Sequence, residues 1–188
     1  MNFVGKEYEL LDLMKRADEG DVDAMRDFVT LCYTHQDEGM YEATKDKWLK
    51  YVKKMAEEEN AVGYIWLGDA FKTGVLGEKN IPKAIEHYQK AAENGMEFGY
   101  ECIAEIYFAG NGVPKDYEKA YDYIMKSANP SSSSCYILGE MYRQGLYVEE
   151  NMELAKQYYE QAAERGSFAG NMDDYAELAA KRLESGGF

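Results

Sequence analysis

Three groups of residues in this chain are of types that could do chemistry. The loop Gly110-Asn111-Gly112-Val113-Pro114-Lys115-Asp116 combines glycines with a lysine, the ingredients of a phosphate cradle. Such cradles need the Walker spacing and a preceding strand. Neither is present, and counterparts of the loop recur at one register elsewhere, so it reads as a turn between helices. His35 and His87 are the only histidines, and neither has a Cys, His or carboxylate partner in a metal-site pattern. His87, beside Tyr88 on a helix, reads as a partly exposed structural residue. The many carboxylates could offer an acid–base pair, but on acidic helices such residues form a solvated face. No catalysis, cofactor or metal is expected from these residues.

The charge balance narrows the partners. Thirty-five acidic residues against 21 basic ones give a formal charge of −14, which opposes nucleic acid and anionic lipid. The one basic cluster, Lys45, Lys47, Lys50, Lys53 and Lys54, is interrupted by Asp46 and followed by Glu57, Glu58 and Glu59, so it reads as a solvated helix face. No span approaches the roughly 18 apolar residues of a membrane helix. Residues 1–15 include Glu7, Glu9 and Asp12 and do not resemble a signal peptide. Three cysteines, Cys32, Cys102 and Cys135, are an odd count spread along the chain, which fits reduced thiols. The expected setting is cytoplasmic, without nucleic acid and without membrane insertion.

What positions these residues is a repeat. A small residue closing one helix is followed seven residues later by a small residue in the next: Ala17 and Ala24, Ala56 and Gly63, Ala92 and Gly99, Ala163 and Gly170. A fifth pair, Ala128 and Ser134, is one residue shorter and passes through Pro130. The second members step by 39, 36, 35 and 36 residues, a period that indicates a solenoid. Counting from them, plus four holds Leu67, Ile103 and Leu138, and plus five holds Gly68, Ala104 and Gly139. Plus eight holds Phe71, Tyr107 and Tyr142. Each unit then has a second apolar series through Ala84, Ala120 and Ala155 and through Tyr88, Ile124 and Tyr159. Two amphipathic helices per unit follow, with small residues letting their backbones approach. Gly74, Gly110 and Gly145 at plus eleven are placed to stop the first helix in a left-handed turn. Asn80, Asp116 and Asn151 at plus seventeen are placed to cap the second.

The segments Leu67-Gly68-Asp69-Ala70-Phe71 and Leu138-Gly139-Glu140-Met141-Tyr142, the loop 110–116, and the closing Lys90-Ala91-Ala92-Glu93-Asn94-Gly95 resemble Sel-one-like repeats. The resemblance implies an all-α fold, an α/α superhelical solenoid of antiparallel helix pairs related to tetratricopeptide arrays. It covers units at 61–95, 96–130 and 131–166. Residues 21–60 read as a diverged repeat in which Phe28, Val29 and Cys32 fill the packing places. Residues 1–20, with a helix near 6–19, read as half a unit, and 167–188 as a C-terminal capping helix over 168–183. Some secreted members of the family carry regular cysteine pairs and are associated with β-lactam binding or hydrolysis. Here no two cysteines share a register, which argues against that activity.

In such solenoids the first helices line the concave surface. The resemblance assigns to it Asp69, Glu105 and Glu140 at plus six, Tyr33, Lys72, Phe108 and Arg143 at plus nine, and Ile65 and Tyr136 at plus two, where the remaining unit has Glu101. The expected function is an adaptor or scaffold holding another protein or peptide there, with basic residues of the ligand facing the three carboxylates. Exposed ion pairs contribute roughly 0–1 kcal/mol each, at most about 3 kcal/mol for three, below the roughly 4 kcal/mol of millimolar binding. Aromatic anchors such as Phe108, Tyr136 or Tyr33 are therefore required as well. The alternatives are a hydrolase of a small amide and a structural spacer in a larger assembly.

Overall fold

The computed structural model describes the backbone of residues 3–34, 40–75, 77–165 and 174–185, and side chains within 9–32, 44–75, 77–165 and 175–185. Among these residues the chain is helical, with no strand. In order come α1 (Phe3–Asp18), α2 (Val22–Thr34), α3 (Met40–Glu57), α4 (Ala61–Thr73) and α5 (Ile81–Glu93), then α6 (Phe98–Ala109), α7 (Tyr117–Ile124), α8 (Ser132–Gln144), α9 (Met152–Arg165) and α10 (Asp174–Glu184). Each helix packs mainly on its neighbours in sequence, and α8 also touches α6 and α10. The fold is an α/α solenoid of antiparallel pairs, with α4, α6 and α8 as first helices of successive pairs and α5, α7 and α9 as second helices.

The helix ends are set by the residues that the spacing singled out. Gly74, Gly110 and Gly145 have φ of 84°, 72° and 63°, the left-handed conformation that frees a helix C-terminus, and each donates its N–H to a carbonyl four residues back. Asn80, Asp116 and Asn151 accept the N–H of Lys83, Lys119 and Leu154 at 3.0, 3.0 and 2.9 Å. The N–H of each capping residue in turn donates to the carbonyl at plus eight, that of Phe71, Tyr107 or Tyr142, at 2.9–3.0 Å. One loop geometry is thus built three times.

The small residues at plus five face the second helix of their own pair. A Cβ on Gly68 would lie 2.4 Å from the Tyr88 ring, and one on Gly139 would lie 2.7 Å from Tyr159. Ala104 takes this place in the middle pair, in one buried cluster with Ile124. Glycine therefore matches tyrosine, and alanine matches the smaller isoleucine. The core is segmented along the axis into four clusters, the first running from Leu10 to Ala70 through Phe28, Trp48 and Tyr51, the last gathered around Tyr159 and Ala179.

The shortened connection between α7 and α8 is held by Glu101 of α6 and by Glu97, the residue just before that helix. Buried Glu101 accepts from Ser127 Oγ at 3.1 Å, and from Ser131 N–H and Ser134 Oγ at 2.8 Å each. Glu97 accepts the Ala128 N–H at 2.8 Å. The lysines of α3 that read as a solvated face lie partly against α1, where Lys47 and Lys50 both grip Asp18. Their ammonium groups hold the Asp18 carboxyl well below its ordinary range.

Candidate functional site

The residues drawn from the spacing sit on α2, α4, α6 and α8, and the surroundings of those described differ. Asp69 Oδ1 accepts from Tyr88 Oη at 2.6 Å and lies 3.5 Å from Lys72 Nζ. Lys72 sits over the Tyr88 ring, 5.8 Å from its centroid. Burial alone would lower the pKa of this ammonium, and Asp69 and Glu105 outweigh it, holding the group above its ordinary value. Glu105 accepts from Tyr175 Oη, at 2.6 Å, across from α10, and among the described residues it has no ion pair. Lys72 and Glu105 line a groove of about 790 Å³ together with Lys79, Asn80 and Asn111.

Glu140 is buried rather than displayed. It accepts from Tyr159 Oη at 2.7 Å and from Arg143 and Arg182 at 2.9 Å each, and also from Gln144. Burial would raise its pKa, but the bonds from Arg143 and Tyr159 and the two guanidinium charges hold it below its ordinary value. Ile65 is buried as well, in the cluster of Tyr88 and Ile103. Tyr136 is half-buried, its ring 5.6 Å from both Tyr159 and Tyr175. Phe108 is half-buried with its ring edge-on to Tyr117 at 5.7 Å. The side chain of Tyr33, like His35, lies outside the described residues.

Geometry brings Lys72 and Glu105 to one groove, and Tyr136, Glu140 and Arg143 to one network that α10 completes through Tyr175 and Arg182. The spacing argument missed these last two and the role of Tyr88 and Tyr159, the residues nineteen positions after Asp69 and Glu140 in the two pairs that carry tyrosine there. The signal was present: in the middle pair that position is Ile124, and Glu105 takes its hydroxyl from α10 instead.

The other candidate groups take structural surroundings. His87 lies between Tyr64 and Phe71, with ring centroids at 6.1 and 5.3 Å, and burial lowers its pKa. All three cysteines are buried and unpaired, and burial pushes their thiols up, which suppresses thiolate chemistry. Among the described residues no group of His, Cys, Asp and Glu could hold a metal ion, and no helix is long and apolar enough to cross a membrane.

Helix pairs stacked in series, closed by equivalent caps, define a helical-repeat protein. The chain belongs to the Sel1 repeat family, whose model matches residues 61–96, 103–129 and 132–167. It is similar to protein sel-1 homolog 2 of Rattus norvegicus, 32% identical over half of this chain and 14% of that protein. It is also similar to the ERAD-associated E3 ubiquitin-protein ligase component HRD3B of Arabidopsis thaliana, 31% identical over 43% of this chain and 13% of that one. The matched stretch is thus a small part of these longer relatives. Among solved structures, a Sel1 repeat protein from Oxalobacter formigenes shares the fold over 96% of this chain and 79% of its own, with 24% identity and a TM-score of 0.70. A protective antigen of uropathogenic Escherichia coli, c5321, shares it over 94% of this chain and 43% of its own, with 21% identity and a TM-score of 0.53. Sel1 repeats commonly serve as protein–protein interaction modules.

Proposed function

We propose that the chain is a non-catalytic scaffold that holds a segment of another protein on the shared side of its first helices. The observation that carries this reading is the groove at Lys72 and Glu105, where a carboxylate free of any ion pair among the described residues stands beside a solenoid face bearing half-exposed Phe108, Tyr136 and Arg143. A basic residue of the ligand would face Glu105, and the aromatic rings would anchor an apolar neighbour. Asp69, Glu140 and Ile65 hold the face in shape, since their partners lie within the chain. Tyr33 would extend the same face toward the diverged unit. The net charge of −14 supports a protein rather than nucleic acid as ligand. Three buried unpaired thiols favour a reducing, cytoplasmic setting.

The test places a photo-crosslinking benzoylphenylalanine at Phe108 and compares capture by this chain with capture by the same chain carrying Glu105→Lys, helicity being checked by circular dichroism. One partner crosslinked from Phe108 and lost with the still-helical Glu105→Lys chain is the expected result. Equal capture by both chains would sink the inner-face reading.

A further inference from the structure

Each of the three Sel1 units also stacks a column of aromatic rings between its first and second helices. In the first Sel1 unit Tyr64, His87 and Phe71 stack, with Lys90 over Tyr64 at 5.9 Å and Lys83 over Phe71 at 5.3 Å. The second unit repeats the arrangement at the same register. Tyr123 lies 6.1 Å from both Tyr100 and Tyr107, with Lys126 4.4 Å from Tyr123 and Lys119 5.0 Å from Tyr107. The chain's own ammonium groups thus occupy the ring faces of two columns, as the negative potential above an aromatic ring favours.

The third unit keeps two of the three rings, with Cys135 where Tyr64 and Tyr100 stand, and loses both lysines. Tyr142 and Tyr158 stack at 5.6 Å and 6°. The positions equivalent to the two lysines are Leu154 and Gln161, and among the described residues no cation lies over either ring. Tyr121 adjoins this stack through an interaction with Tyr142, and Tyr147 meets Tyr121 at 5.7 Å. Tyr147 is 54% exposed and has φ of 67°, the conformation that glycine adopts at the equivalent Gly112 with φ of 77°. At Gly112 a Cβ would strike Ile81 at 2.4 Å, whereas Tyr147 carries a full ring into the open. Glu118 of α7 accepts from Tyr147 Oη at 3.4 Å, and Asp122, one turn further along the same helix, adds a second negative charge that acts on the ring hydroxyl.

We infer that Tyr121, Tyr142, Tyr147 and Tyr158, with Glu118 and Asp122, form a docking site for a lysine side chain of a partner protein. Aromatic faces receive the alkyl stem and ammonium, as they do for internal lysines in the two preceding units, and the carboxylates add charge that a neutral ligand cannot use. The site is built from α7, α8, α9 and the loop after α8, shares no residue with the inner-face reading and does not depend on it.

The probes are the blocked tripeptide acetyl-Gly-Lys-Gly-amide and its norleucine counterpart, titrated into the full chain with isotope-labelled tyrosine rings. The lysine peptide is expected to shift the ring resonances of Tyr142, Tyr147 and Tyr158 in a saturable manner, and the norleucine peptide is not. Tyr147→Ala is expected to weaken saturation about fivefold, as for one exposed cation–π contact, while Tyr147→Phe keeps it. Tyr147 is exposed, so the variant fold is checked simply by its unchanged amide spectrum. Equal shifts with norleucine, shifts confined to the rings of the other two columns or to Tyr136, unchanged saturation in Tyr147→Ala, or no saturable shift would each overturn the inference.

Discussion

A carboxylate on a helix surface contributes little until neighbours desolvate it, and the residue at plus six shows both conditions in one chain. Glu105 faces a groove, whereas Glu140 is closed in by Tyr159, Arg143 and Arg182. Replacing Glu140 with Gln removes the charge from several hydrogen bonds and is expected to cost about 2 kcal/mol in urea denaturation, the scale of a hydrogen bond to a charged group. The pH dependence has a definite sign. The folded-state pKa of Glu140 lies below its ordinary 4.5, so its contribution is complete above that value and is lost as pH falls through the lower, folded one. Stability of the Glu140→Gln chain should therefore fall less steeply below about pH 4.5 than that of the parent. An identical acid limb in both chains would show that Glu140 is not held in its ionised form. Spacing within each first helix gave Asp69, Glu105 and Glu140 one register, but their partners come from other helices, and only the residues nineteen positions on, Tyr88, Ile124 and Tyr159, separate them. That is why the expected ladder of three equivalent carboxylates resolves into one groove residue and two that are bonded to a second helix.

At the scale of elements, the close approach within each pair fixes which small residue is tolerated. Alanine is the better helix former than glycine by about 1 kcal/mol, yet Gly68→Ala is expected to lower stability by about 1–3 kcal/mol, because the new Cβ meets the Tyr88 ring. The middle pair supplies the rescue: combining Gly68→Ala with Tyr88→Ile reproduces Ala104 and Ile124, and should recover part of the loss even though the Asp69 hydrogen bond is gone. If Gly68→Ala is neutral or stabilising in thermal melts, the packing argument fails. Caps and stops were the most legible features, since Gly74, Gly110 and Gly145 and the residues at plus seventeen do their work through local backbone geometry. The ends of the array were less so. The first helix, read from spacing as 6–19, is Phe3–Asp18, and the last, read as 168–183, is Asp174–Glu184, with 166–173 outside the described residues. Tyr175 falls at plus five, where α4, α6 and α8 carry Gly or Ala, so α10 cannot repeat their packing. Ala179 is buried against Tyr159 instead, which leaves Tyr175 to reach Glu105.

For the whole molecule, the division of the core into clusters in chain order predicts how it comes apart. Each helix touches mainly its neighbours, so stability is a sum of unit and interface contributions rather than of one shared centre. The diverged unit follows the same logic with different residues: Phe28, Val29 and Cys32, which spacing placed in the packing positions, are fully buried beside Tyr51. Their fit was legible because burial needs only apolar volume at the right period, while the missing loop glycines hid the unit from motif matching. Leu67 and Leu138 occupy the same register at 8% and 1% exposure, and truncating either to Ala should cost about 2–5 kcal/mol, more at Leu138, where less water reaches. Hydrogen exchange followed by mass spectrometry distinguishes the two ways that cost can be distributed. Leu138→Ala is expected to lower amide protection in α6, α7, α8 and α9, which contribute residues to its cluster, and to leave α2 and α3 as protected as in the parent. A uniform loss from α2 to α9 would mean that the interfaces are strong enough to make the array one cooperative unit. The local pattern would instead mean that a partner bound at one unit stabilises that unit and its immediate neighbours, and the rest of the solenoid only through the interfaces between them.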